Sequence, residues 1–148
     1  MEASKGKFDL SEEISSLIQK MNHTDWQKRK DAAESVISLL NETEGKVHLN
    51  CLHDLLNTLK TRIADPNKQL IKIFVHLTGL VFGFMSEKEV KANGKNFICG
   101  LADGLSDKME ANRKEICLTL NKIGEYYGKE HLLSILSFYL DTDKDSRV

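Results

Sequence analysis

Apolar residues recur along this chain at three- and four-residue intervals, the period of helices that turn one face inward, and no segment alternates as a strand would. Leu10, Ile14, Leu17, Ile18 and Met21 line a first helix. The polar break "NHTD" follows, and Thr24 with Gln27 reads as a capping box opening a second helix that carries Ala33, Val36, Ile37 and Leu40. After "NETEGK", Leu52, Leu55, Leu56, Leu59 and Ile63 stripe a third. Asp65 is expected to cap a fourth with Pro66 at its first position, and Leu70, Ile71, Phe74, Leu77, Val81 and Phe84 make that helix apolar on most sides, so it should be the most enclosed. A fifth spans about 88–105 with Val90, Phe97, Ile98 and Leu101, weakened by Gly94 and Gly100. Asp107 with Glu110 caps a sixth holding Ile116, Leu120 and Ile123, where Tyr126 and Tyr127 pack at the end before a Gly128 C-cap. Leu132, Leu133, Leu136 and Tyr139 belong to a seventh over about 129–140, ahead of the polar "DTDKDSRV".

The helices come in pairs. Their intra-pair turns are led by Asp25, Asp65, Asp107 and Asp141, at spacings of 40, 42 and 34 residues. Paired helices at a period near 40 are the signature of HEAT or armadillo arrays. The fold expected is therefore all-α, an α-solenoid of about 3.5 HEAT-like repeats in seven helices. Arg113 and Arg147 follow Asp107 and Asp141 by six positions, a spacing that resembles the HEAT pattern of inter-repeat ladders, whereas Arg29 and Lys72 look displaced from it. Each pair has an apolar face it cannot bury alone, so pairs must stack and the turns fall along one edge.

At 148 residues the chain is long enough for one domain, placed at 9–148 behind a flexible tail at 1–8. Lys plus Arg number 21 against 22 Asp plus Glu, which disfavours a globally basic nucleic-acid binder. Any useful charge must then be local. Three widely spaced cysteines, Cys51, Cys99 and Cys117, each in an apolar-periodic segment, read as reduced buried thiols of a cytoplasmic protein. The N-terminus has no apolar leader core, and no run of about 18 apolar residues could span a membrane.

No metal, cofactor or catalytic role is expected. His48, Cys51 and His53 lack the further ligands a zinc site needs, and on a helix His53 points away from the other two. Asp141, Asp143 and Asp145 begin like a calcium loop, but Ser146 stands where glycine is required. The sequence contains no nucleophile elbow, phosphate loop, zinc-protease helix or dinucleotide fingerprint.

Chemistry collects instead on the turn edge, which holds Trp26, Lys28, Arg29, Lys30, Asn67, Lys68, Lys108, Asn112, Lys144 and Arg147. Its turns resemble those of TOG domains. In "DWQKRKDAAESVISLL" an aromatic residue is followed three positions later by a basic one, Trp26 and Arg29. "RIADPNKQLIKI" holds an Asp-x-Asn core, Asp65 and Asn67, similar to a second TOG turn, and "GLSDKMEANRKEI", with Asp107, Lys108 and Arg113, resembles a third. The similarity runs from about Leu10 to the end, in the right order, and is strongest to the internal TOG domains of microtubule polymerases. The third turn departs from the family at Met109, where a second basic residue is usual.

The resemblance implies a flat, paddle-like partial TOG domain that breaks off within its fourth repeat and belongs to a longer protein. It implies binding of αβ-tubulin at the microtubule plus end, without catalysis, by a monomeric domain working at microtubules, spindle or centrosome. By the same resemblance Trp26, Lys28, Arg29, Asn67, Lys68, Lys108 and Lys144 are the tubulin-facing candidates, while Asp107 with Arg113 and Asp141 with Arg147 form inter-repeat ladders. The alternative is a HEAT-type scaffold for a partner other than tubulin, with Trp26 packed inward.

Overall fold

The computed structural model describes residues 8–9, 11–43, 47–48 and 51–147, with side-chain surroundings over 12–43 and 51–138. Lys144, Asp141, Arg147 and Tyr139 thus have side chains outside the described residues, and Leu10 and most of the expected tail lie outside them altogether. The fold is all-α. Its helices are α1 (Ser11–Met21), α2 (Trp26–Thr43), α3 (Leu52–Arg62), α4 (Lys68–Gly83), α5 (Glu87–Asp103), α6 (Glu110–Tyr127) and α7 (Lys129–Arg147). A 3-10 turn, Gly104–Ser106, links α5 to α6. One departure from helix is a two-residue parallel pairing of Phe8 with Val47 and Asp9 with His48, which the sequence pattern is too short to announce.

Several helix ends differ from the sequence reading. Trp26 opens α2, so its N-cap is Asp25, whose Oδ1 accepts the Gln27 amide at 2.9 Å; the expected Thr24–Gln27 capping box is not formed. Likewise Asn67, not Asp65, caps α4: its Oδ1 accepts from Gln69 N at 3.0 Å, and Pro66 lies before the helix. The signal was ambiguous because Asp65 and Asn67 are both good caps two residues apart. At α5 the capping box is Ser86 with Glu89, both bonds being present. Ser86→Ala should cost about 1 kcal/mol in urea denaturation. No change in the midpoint would show that Glu89 holds that turn unaided.

At the other end of the chain, α7 continues through Arg147, so Asp141 is helical and not a fourth corner. Five acidic or hydroxyl-bearing residues in seven suggested a turn, but each costs a helix only a fraction of about 1 kcal/mol in propensity.

The helices pack in two rows. α2, α4 and α6 stack side by side, with α1 on α2, α3 on α4 and α5 on α6, while α1 neighbours α3 and α7 neighbours both α5 and α6. As expected, α4 is the most enclosed, burying Leu70, Ile71, Phe74, Val75, Leu77, Val81 and Phe82, although it stops at Gly83 and leaves Phe84 half-buried as its C-cap. Phe82 meets Phe97 of α5 edge-on at 5.4 Å between ring centres. Gly94 fits α5 closely against α6: a Cβ there would lie 2.5 Å from the Tyr127 ring, so this glycine serves packing where the sequence suggested only weakness. Gly128 ends α6 at φ 108°, the left-handed stop foreseen for it. Cys51 is buried, but Cys99 is half-buried and Cys117 exposed, because Cys117 lies on the side of α6 away from α4.

Candidate binding edge

The helices of the α2–α4–α6 row, the inner row, begin at Trp26, Lys68 and Glu110, 42 residues apart at each step. This replaces the aspartate spacing of the sequence reading. In the structural register Asp25 corresponds to Asn67, the cap of the next helix, and His23 corresponds to Asp65 and Asp107. The hydrogen bonds repeat accordingly. His23 Nδ1 accepts the Asp25 amide at 2.9 Å, Asp65 Oδ1 accepts that of Asn67 at 2.8 Å, and Asp107 Oδ1 accepts that of Met109 at 2.7 Å. A residue whose side chain folds back on the amide two positions ahead shapes each corner.

Arg29 and Arg113 are equivalent in this register. Arg29 Nη1 donates to the carbonyls of His23 and Thr24 at 2.8 and 3.1 Å, and Arg113 Nη1 donates to those of Asp107 and Lys108 at 2.7 and 3.0 Å. The ladder expected between Arg113 and Asp107 therefore runs to the Asp107 backbone and not to its carboxylate. The carboxylate pair that does link one corner to the next is Arg29 with Asp65. Arg29 Nε and Nη2 grip both carboxylate oxygens at 3.0 Å each, and Arg62 Nη1 adds a third bond at 2.7 Å. Asp65 is 1% exposed and Arg29 8%, so this is a buried, charge-assisted network; Arg62 Nε is buried without a partner. Arg29 is consequently turned inward and unavailable to a partner, because it must neutralise Asp65.

At the next step Ile71 occupies the place of Arg29 and cannot reach a carboxylate. Asp107 is served instead by Asn112 Nδ2 at 3.3 Å and more loosely by Lys68 Nζ at 3.8 Å. Asn112, assigned to the rim from sequence, is 1% exposed and also donates to the Lys68 carbonyl at 3.0 Å. Without an arginine to fill it, a groove of about 480 Å³ remains between the second and third corners, lined by Ile63, Lys68, Ile71, Asp107 and Met109 among others.

The surface of the edge is what remains. Trp26 is 42% exposed at the first position of α2 and so is displayed, Lys28 and Lys108 are exposed, and the Lys68 side chain is 64% exposed. Asn67 is half-buried, with its oxygen committed to the helix cap. One residue that the sequence reading passed over as a missing charge gains interest: Met109 is 40% exposed at the third corner. An apolar residue at an N-cap, where a polar one is preferred, was the available signal. Elsewhere, His53 pairs with Asn57 at 3.2 Å.

Compared with known proteins, the chain matches no family model, no curated protein and no solved structure.

Proposed function

We propose that this chain is a HEAT-type α-solenoid of TOG character that binds αβ-tubulin through the corner edge and takes part in microtubule organisation. The observation that carries the reading is the exposure of Trp26 at the first corner, on the same edge as exposed Lys68 and Lys108 at the second and third. Support comes from the two-row packing with its 42-residue step, which suits a stacked array. The chemistry is that of a protein interface: Trp26 and Met109 offer apolar contact, and Lys28, Lys68 and Lys108 surround them with charge suited to an acidic partner.

Gel filtration of the chain with soluble αβ-tubulin tests it directly. Co-elution is expected at low salt, weakening as salt rises. The Lys68→Ala/Lys108→Ala double variant should lose about tenfold in association rate while its melting curve stays unchanged, because rim charges act chiefly on encounter. Absence of any complex at tens of micromolar tubulin would refute the reading.

A further inference from the structure

The repeat register identifies a second binding surface, independent of the tubulin reading. Four positions of α6 touch α4. Asn112 donates to the Lys68 carbonyl, Glu115 Oε2 lies 3.3 Å from His76 Nδ1, Thr119 Oγ1 donates to the Val75 carbonyl at 3.3 Å, and Lys122 lies against Gly79. These define the rear face of an inner-row helix. Their equivalents in α4 are Leu70, Ile73, Leu77 and Leu80, all apolar; in α2 they are Lys28, Asp31, Ser35 and Ser38, all exposed. The α2 end of the row thus has the polar outer face that closes a stacked array.

The forward face tells the opposite story at α6. In α2 the forward position Arg29 reaches the carboxylate of the following corner, and in α4 the forward positions Val75, His76 and Gly79 meet α6. Their equivalents in α6 are Cys117, Leu118 and Asn121, all exposed, with Leu118 at 58%. Arg113 stands where Arg29 does. Its Nη1 is fixed by the same two backbone carbonyls, while Nε and Nη2, the atoms with which Arg29 holds Asp65, have no partner among the described residues.

We propose that the forward face of α6 is a docking surface for a helix of a partner protein whose N-terminal corner carries an aspartate, and that Arg113 receives that carboxylate in the bidentate manner of Arg29 with Asp65. The guanidinium is already oriented, so a carboxylate arriving there meets a fork whose geometry costs little further ordering. The continuity of the α2–α4–α6 row supplies the shape of the partner, and the Arg29–Asp65 clamp supplies its chemistry. A second copy of this chain fits less well. Stacking its α2 on α6 would bring His23 to the place of the carboxylate and polar Ser35 and charged Asp31 against Cys117 and Leu118.

The test uses a tethered probe. A copy of residues 65–86 of this same chain is fused behind Val148, which places its leading aspartate 42 residues after Asp107. The fused chain should melt about 5 °C or more above the original. Replacing the probe's aspartate by asparagine should remove most of that gain, and Arg113→Gln should lower the melting point of the fusion several degrees more than it lowers that of the original chain. The Arg113 Nε–H should also exchange with solvent at least tenfold more slowly in the fusion. Equal effects of Arg113→Gln in both chains, or no slowing of exchange, would overturn the proposal. So would a concentration-dependent dimer of the original chain, abolished by Arg113→Gln in sedimentation velocity, since a second copy would then own the surface.

Discussion

Asp65→Ala should destabilise the fold by about 3–5 kcal/mol, the largest loss expected from any single substitution on the corner edge. The carboxylate is buried and accepts from Arg29, Arg62 and the Asn67 amide at once. Removing it leaves two guanidinium groups close together with no counter-charge, one of them in Arg29 at 8% exposure. That penalty comes mainly from stranding the arginines, so it can be separated from the worth of the pair. Urea denaturation of Asp65→Ala, Arg29→Met and the double variant should show the double variant well short of the sum of the singles. Asp107→Ala provides the contrast: its cationic neighbour is 3.8 Å away and largely in water, so no buried charge is stranded, and the loss should be about 1–2 kcal/mol, that of the hydrogen bonds it accepts from the Met109 amide and Asn112. If Asp65→Ala costs no more than that, water has access to the cluster and the buried clamp is refuted.

The same cluster shows how far the sequence could be read. Seven helices and their inward faces follow from apolar periodicity, since burying a stripe every third and fourth residue is the dominant free-energy term. What periodicity could not supply was register. Asp25, Asp65 and Asp107 look alike in sequence, yet one is a helix cap and the others are corner residues, because the corner role at the first turn has passed to His23 through its Nδ1. Only the backbone amides to which each side chain bonds distinguish these roles. Without that register Arg29 reads as displaced and exposed, whereas it is the Arg113 equivalent turned inward. Asn112 was misplaced for a related reason: a polar residue in a charged turn suggests solvent, but this one is buried because it satisfies both a backbone carbonyl of α4 and the Asp107 carboxylate. Trp26 could not be placed either way from sequence, since it nearly shares a face with Ala33, Val36 and Ile37. Its position as the first residue of α2, a turn ahead of Arg29, is what brings it into solvent.

Trp26→Ala should separate binding from folding. Trp26 is 42% exposed, so truncating it should change stability by less than about 1 kcal/mol, whereas a core aromatic such as Phe74, fully buried, would cost about 3–5 kcal/mol. Its contribution to an interface would be of another order. A tryptophan at a hot spot is worth about 2 kcal/mol or more, so affinity for αβ-tubulin should fall at least about 30-fold. Trp26→Phe should recover part of it by retaining an aromatic surface. Because this is the only tryptophan in the chain, its fluorescence reports the free state without ambiguity, and acrylamide should quench it readily. Poor quenching together with a large fall in melting temperature for Trp26→Ala would mean that the ring packs inward, and the scaffold reading with a different partner would take over. Unchanged tubulin affinity in a stable Trp26→Ala variant would remove the first corner from the interface. A selective loss of affinity, with the fold intact and the Lys68→Ala/Lys108→Ala variant slowed chiefly in association, would divide the edge into an apolar anchor that holds the complex and a charged rim that speeds its formation.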